Sequence, residues 1–432
     1  MKASIYNTDL LLPDNHYVLY NALSDKYVVA TGEIYAAYRE KAEEVVRREY
    51  PVFYNQLVEA GCLVEEEVDE KALLRSRIHR IDNNPETYLL TINPTLNCNF
   101  RCWYCYEEHA GKSRIEEETY RRILRHISLK SKEEGLKSFH IGFFGGEPLL
   151  CFKQSVYPIL KHYIACCREQ GLQTYVGFTT NGYLVEDEMI RKMKEVRVNS
   201  FQITLDGCKE QHDRVRFPRA GEGSYDRIVE NIKKLTAAAF TVLLRINYTQ
   251  DNILRIKEIA EDLKDIPMEN RGCLSVDLQR VWQDRRAEKD IPEAVFDACI
   301  DVFSELGFHV SHDSLDYVKG SCYADKRNQA LINYNGEVYK CTARDFTPAN
   351  RLGYLDPEGV IRWDEEKMLQ RCGLRFSKPV CHACRIAPLC GGTCTQRIWE
   401  SGDANNCLKG YTEEAKTQVV FNRFYNQFVR KR

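Results

Sequence analysis

Nothing in the 432-residue sequence reaches the roughly 18 uninterrupted apolar residues that a transmembrane helix needs. The N-terminus, MKASIYNTDLLLPDNHY, has one lysine and a brief apolar run broken by Pro13, so it does not read as a signal peptide. An excess of either charge is also missing. Lys and Arg number 61 against 63 Asp and Glu, which gives a formal net charge of −2 and a pI near 6.6. That balance argues against nucleic acid or a membrane surface as the main partner. Internal repeats and low-complexity tracts are absent, which speaks against a solenoid or a disordered tail. Together these absences predict a cytoplasmic chain. Its 44% hydrophobic and 29% charged residues suit a folded globular protein, and its length predicts two or three domains.

Cysteine, by contrast, is abundant: 18 residues, eight of them after position 320. A cytoplasmic chain does not build a disulfide framework, so motif-like spacing points to metal or catalytic use. Three fall within NCNFRCWYCYEEH (97–109), namely Cys98, Cys102 and Cys105. Seven more form a spaced series: Cys322, Cys341, then Cys381-x2-Cys384-x5-Cys390-x3-Cys394, and Cys407. A zinc ribbon accounts for CHAC at 381–384 but not for the whole series. Cys62, Cys151, Cys166, Cys167, Cys208, Cys273, Cys299 and Cys372 read as small buried hydrophobes.

Residues 1–65 predict a small α+β unit, with two strands in HYVLYNALSDKYVVA (16–30), a helix over 34–50, a second over 52–61 and a strand beginning at CLVEEE. The charged stretch 66–86 reads as a linker that is helical in part. From 87 to 310, six strand-length apolar runs alternate with amphipathic helical stretches. That alternation predicts a parallel sheet with helical crossovers, an α/β fold of the partial (β/α)6 TIM-barrel kind. Catalytic groups of such folds stand at the C-terminal ends of the strands, where the triple-cysteine loop begins. The Cys-rich segment 311–410 follows, and 411–432 reads as a closing helix.

Three thiolates on one loop suit three corners of an iron–sulfur cubane, with one iron left open, or three ligands of a zinc ion completed by a histidine such as His109. The C-x3-C-x2-C spacing, with Tyr104 before the last cysteine, resembles the radical S-adenosylmethionine (SAM) enzymes. In that family the open iron binds the amino and carboxylate groups of SAM, whose reductive cleavage gives a hydrogen-abstracting 5′-deoxyadenosyl radical. The resemblance extends along the strand ends. GFFGGEP (142–148) is similar to the family's motif for the methionyl amine, which nominates Gly145, Gly146 and Glu147. TTNG (179–182) and TLDG (204–207) nominate Thr180, Asn181, Thr204 and Asp206, and HDRVR (212–216) nominates Arg216 for a carboxylate. Arg245 and Asn247 of RINYT are further candidate contacts. Asn-Gly and Asp-Gly are also common turn signals, so turn chemistry is the alternative for both segments.

The seven spaced cysteines resemble the SPASM extension of the same enzymes. The resemblance implies two auxiliary [4Fe–4S] clusters, for three in all. Cys322, Cys341 and Cys394 would serve the first, and Cys381, Cys384, Cys390 and Cys407 the second. The first set is one thiolate short, with Cys299, Cys372 or an open iron as the possibilities. SPASM-bearing enzymes mostly modify ribosomally made peptides. A peptide maturase that installs a thioether or carbon-linked cross-link is therefore expected, with an anaerobic sulfatase-maturating enzyme as the alternative. Those maturases place an aspartate directly after the cysteine matching Cys341. Here Thr342 stands there, and Asp345 is the nearest carboxylate and the candidate base. Residues 1–65 resemble the winged-helix-like element that grips leader peptides by strand addition. A flavodoxin or ferredoxin is the implied electron donor. From a different class, a zinc-stapled peptide-binding scaffold without catalysis fits the same cysteine count.

Overall fold

The computed structural model describes residues 1–284, 293–312, 320–401 and 406–429. The chain divides into two compact units. One contains 1–84, 314–327 and 365–432; the other contains 85–313 and 328–364. The first unit therefore joins the N-terminal segment to most of the Cys-rich region, a grouping that a division in chain order misses.

In the first unit, β1 (Lys2–Ala3) pairs antiparallel with β5 (Leu63–Val64). Strands β2 (Asn7–Leu11), β3 (His16–Asn21) and β4 (Lys26–Thr31) form an antiparallel meander. The expected 34–50 helix is two helices, Gly32–Glu40 and Glu43–Glu49, separated by extended backbone at Lys41 and Ala42. Within the expected 66–86 linker the helical part is long, Glu70–Asp82. Asp69 caps it by accepting from Ala72 N, and Leu74 and Ile78, four residues apart, are buried. Those two pack with Tyr6, Val18 and Tyr20 and with Ile386, Leu389 and Val420, so one apolar cluster unites residues far apart in the chain. The closing helix is Glu413–Phe424, and its Arg423 pairs with Asp25.

The second unit is built on an eleven-stranded sheet. The six expected strands appear as β6 (Thr87–Ile92), β7 (Ser138–Phe143), β8 (Gln173–Thr180), β9 (Ser200–Leu205), β10 (Thr241–Tyr248) and β11 (Leu274–Arg280). A seventh parallel strand, β12 (His309–His312), follows helix Glu293–Glu305. These seven lie side by side in chain order, and β13 (Gln329–Ile332) adds in parallel beyond β6. Strands β14 (Glu337–Tyr339), β15 (Gly353–Leu355) and β16 (Ile361–Trp363) continue it antiparallel. The result is an open, partial barrel.

Side-chain alternation explains where the chemistry sits. On β9, Phe201, Ile203 and Leu205 are fully buried, while Gln202 and Thr204 face the other way and are part-exposed. Parallel strands are normally apolar on both faces. Here one face is polar, and it lines a pocket at the C-terminal strand ends.

Candidate active site

The three cysteines of 97–109 stand on the loop after β6 and line one pocket with residues from the ends of β7 to β11. Backbone N–H of Phe100 donates to Cys98 Sγ at 3.4 Å, and Cys105 Sγ lies 3.4 Å from His109 Nε2. Burial, with the Glu147 carboxylate nearby, pushes the Cys98 thiol up to about 12. Burial likewise raises Cys102. Alone, these thiols stay protonated, and a bound cationic centre is what favours thiolates there.

The glycines after β7 lie so close to the segment after β6 that neither leaves room for a Cβ. Gly145 has φ +81°, and a Cβ there would lie 2.6 Å from Asn93 Cγ. Gly146 has φ +51°, and a Cβ would sit 2.2 Å from the backbone oxygen of Asn97. Only glycine fits such a left-handed, crowded turn. Gly146 N–H donates to Glu107 Oε2 at 2.7 Å. Glu107 lines the pocket, and burial pushes its carboxyl up to about 7. The sequence reading passed over Glu107, although CYEEH placed two carboxylates two and three residues after the last cysteine.

Glu147 does not line the pocket. It is fully buried, and its carboxylate accepts from Leu149 N at 2.9 Å, Thr180 Oγ1 at 2.8 Å and Asn181 N at 2.7 Å. Its charge is spent on fastening the end of β8, which differs from the amine-binding role that the resemblance implies. Asn181 passes that anchor on: its Nδ2 donates to Asn99 Oδ1 at 2.7 Å, inside the cysteine loop. Its Oδ1 accepts from Tyr183 N at 2.9 Å, so turn chemistry operates here too.

Tyr104 is the centre of a second network. Its hydroxyl donates to Asp206 (2.6 Å to Oδ2) and accepts from Arg216 Nη1 at 2.9 Å and Asn247 Nδ2 at 3.1 Å. Asp206 is buried behind the pocket wall, and Arg216 stacks over Phe100 at 5.7 Å. Four nominated residues, from just after β9, from β10, the cysteine loop and the segment after helix Lys209–Val215, are thereby brought together. Tyr104, Arg216 and Asn247 line the pocket, as do Thr180, Asn181 and Thr204, whereas Asp206 does not. Asp345 is also outside the lining. Its Oδ1 accepts from Glu108 N at 3.2 Å and Phe346 N at 2.9 Å, so it braces the loop's exit. The carboxylate within the pocket is that of Glu107 instead. Gln202, Arg280 and Gln283 are pocket residues that carried no motif in the sequence.

In the other unit, Cys381, Cys384, Cys390 and Cys407 line a single cavity together with Lys378 and Lys416. That donor set fits a four-thiolate cluster. Cys322 and Cys394 belong to this unit and Cys341 to the other. Cys299 is buried with its Sγ 3.5 Å from the Ile253 carbonyl, in keeping with a core residue, and Cys372 is exposed. The three-thiol pocket, with its glycine-backed wall and polar strand ends, fits a site-differentiated iron–sulfur cluster and the polar SAM molecule. No helix among the described residues is long and apolar enough to cross a membrane.

Comparison with known proteins agrees with this geometry. Residues 92–266 match the family described as Radical SAM superfamily. Over 176 residues the chain is 30% identical to the Fe-coproporphyrin III synthase of Methanosarcina barkeri (strain Fusaro / DSM 804), covering 40% of each chain. It is 30% identical over 147 residues to the cysteine-type anaerobic sulfatase-maturating enzyme of Clostridium novyi (strain NT), covering 32% of this chain and 37% of that one. The chain thus spans about two fifths of the length of these two relatives. The match is longer with the mycofactocin maturase MftC of Mycobacterium tuberculosis (strain CDC 1551 / Oshkosh), 28% over 355 residues, 76% of this chain and 84% of that one. In fold it is similar to Streptococcus suis SuiB bound to precursor peptide SuiA, with TM-score 0.53, 14% identity, and coverage of 94% of this chain and 97% of that one. The cysteine loop and most of the strand-end pocket lie within residues 92–266, the part of this chain that matches the radical SAM superfamily.

Proposed function

We propose that the chain is a radical SAM peptide maturase that modifies a ribosomally made precursor peptide through a radical-derived cross-link, thioether or carbon-linked. The observation that carries the reading is the convergence of Cys98, Cys102 and Cys105 on a pocket walled by Gly145, Gly146 and the polar ends of β8 to β11. Cys98, Cys102 and Cys105 would hold three irons of a [4Fe–4S] cluster. When bound, that cluster and SAM supply hydrogen-abstracting radical chemistry. The chain's own residues do the rest. Gly145 and Gly146 admit close backbone approach, Glu147 and Asn181 fix the wall, and the Tyr104–Asp206–Arg216–Asn247 network sets the opposite side. Thr180 and Thr204 offer hydroxyls for a nucleoside or carboxylate. Cys381, Cys384, Cys390 and Cys407 would hold an auxiliary cluster. Support for a peptide substrate comes from the likeness to the maturase MftC and to SuiB, which is bound to a precursor peptide, and from the meander β2–β3–β4, which offers edge strands for leader binding. A flavodoxin or ferredoxin is the proposed donor of electrons.

The sulfatase-maturase reading is favoured by the Clostridium relative, but Asp345 is used by two backbone N–H groups rather than facing the pocket. Anaerobic reconstitution tests both readings and the zinc scaffold together. The expected protein is brown, with about a dozen irons per chain, and makes 5′-deoxyadenosine from SAM with reductant. Cys98→Ala, Cys102→Ala and Cys105→Ala together should abolish that product and leave the auxiliary iron. A colourless zinc protein, or undiminished product from the triple variant, refutes the reading. Formylglycine in a co-expressed Cys-containing peptide would select the sulfatase-maturase alternative.

A further inference from the structure

In the first unit, one cavity is lined by four thiols and two buried lysines: Cys381, Cys384, Cys390 and Cys407 with Lys378 and Lys416. Lys378 stands just ahead of the short helix Pro379–His382, and Lys416 near the start of helix Glu413–Phe424. Only 2% of Lys378 and 8% of Lys416 is exposed. Each is close enough to a thiol to act on it. Burial pushes the Cys381 thiol up to about 11, the other three thiols add to the rise, and the Lys378 ammonium opposes it. Burial also raises Cys384, against the backbone N–H of Ile386 and the Lys416 ammonium. Lys416 pairs with Glu413, but that side chain is 67% exposed and is shared with Arg385, whose Nε lies 3.1 Å away. Burial raises Cys390 as well, and there the opposing ammonium is that of Lys409, which is exposed and stands outside the lining.

Lysine is among the residues least often buried, because taking an ammonium out of water is costly unless negative charge meets it. A [4Fe–4S] cluster held by four thiolates places such charge in this cavity. It is anionic when oxidised and gains a further negative charge on one-electron reduction. Apolar side chains of Ile386, Ala387 and Leu408 complete much of the wall, so charges inside it are weakly screened. A fixed positive charge there favours the more anionic, reduced form. We propose that Lys378 and Lys416 raise the reduction potential of the cluster held by Cys381, Cys384, Cys390 and Cys407, and so bias it toward its reduced state. The proposal rests on the reading of these four cysteines as a [4Fe–4S] site. It gives the two lysines a role that no motif in the sequence marked.

The test uses the full-length chain reconstituted anaerobically with iron and sulfide. It carries Cys98→Ala, Cys102→Ala and Cys105→Ala, so that the cysteine loop adds no signal. Redox titration followed by electron paramagnetic resonance gives the midpoint potential, and the signal that Cys384→Ala removes belongs to this cavity. Lys378→Met keeps the side chain's length and removes its charge. It should make reduction at least about tenfold less favourable, a fall of about 59 mV for one electron. Lys416→Met should shift the potential in the same direction, and Lys378→Arg should keep the parent's value. Lys409→Met, whose lysine is solvated, should move it less than either. Equal potentials in the parent and Lys378→Met overturn the proposal, and so does a shift as large in Lys409→Met. If Lys378→Met fails to hold the cluster, Lys378→Arg decides: failure there too shows a packing role and overturns the proposal. Recovery shows that the charge is required, and Lys416→Met then gives the potential. A loaded cluster indifferent to both lysines leaves the cluster reading standing, whereas a cavity that takes up zinc and no iron refutes that reading and the proposal together.

Discussion

Replacing Glu147 by Gln separates an architectural role from a cofactor-binding one. The side chain is fully buried, and three donors converge on it: Leu149 N and Thr180 Oγ1 on Oε1, and Asn181 N on Oε2. All three donate, so the site demands an ion with two accepting oxygens. An amide has only one. With its oxygen toward Leu149 and Thr180, its NH2 faces the Asn181 N–H, and two donors oppose each other. The loss is one hydrogen bond to a charged acceptor plus one buried unsatisfied donor, about 2–4 kcal/mol in all. The opposite amide orientation sets its NH2 against the Leu149 N–H and makes the Thr180 hydroxyl accept from the amide instead of donating, so it too leaves one buried donor opposed. Equilibrium urea unfolding of the metal-free chain measures this directly, because SAM is absent and cannot contribute. Glu147→Gln should lower stability by that amount. It should also reduce iron retained after reconstitution, because Asn181 ties β8 to Asn99 in the cysteine loop. An unfolding midpoint within about 0.5 kcal/mol of wild type, combined with weaker SAM binding, would refute the architectural argument and return Glu147 to the cofactor.

Three further predictions follow from the same geometry. Gly146→Ala should cost more than the roughly 1 kcal/mol of a left-handed alanine, because its Cβ would meet the backbone oxygen of Asn97 at 2.2 Å. Urea unfolding and iron content should both fall, and an alanine variant at wild-type stability and iron loading would contradict the packing. His126 is buried between Tyr88 OH (2.7 Å from Nε2) and Gly359 O (2.8 Å from Nδ1), which suits the neutral ring, and burial pushes its pKa down to about 4. An unfolded histidine titrates near ~6.5, so this contribution is whole above that pH and is lost as pH falls toward 4. The total is about 3 kcal/mol, and His126→Gln should flatten that part of the stability–pH curve. Arg375 pairs with Asp82 and lies 3.9 Å from Asp325, all well buried. Arg375→Met leaves those carboxylates short of a partner and should destabilise the first unit by about 3–5 kcal/mol in urea; a change under 1 kcal/mol would show that the ion pair is dispensable.

Much of the site was readable in advance because its signals are local. C-x3-C-x2-C places three thiols on one loop whatever the rest of the fold does. Strand-length apolar runs alternating with amphipathic helices encode parallel crossovers. Gly-Gly after a strand marks a turn that side chains cannot enter, and Gly145 and Gly146 do adopt positive φ. The misreadings are of another kind. The 66–86 stretch is highly charged and lacks a continuous apolar face, and only the contacts of Leu74 and Ile78 with residues some 300 positions away make it a packed helix. The seventh parallel strand, His309–His312, is four residues long, too short to stand out from its surroundings.

The sequence by itself determined the chemistry available: which cysteines are grouped at motif-like spacing, and where the strands end. Tertiary structure alone decided how the charged groups are used. Glu147 and Asp345 lie close to the cysteine motifs in sequence or by likeness, yet their oxygens are occupied by backbone N–H groups. Glu107, Arg245 and Arg280 come to the pocket because the parallel sheet aligns the ends of strands that are distant along the chain. The physical reason is that a hydrogen-bonding partner is a matter of position in space. Residue type and spacing fix what a side chain is able to do; the packing of strand against strand selects which partner it meets.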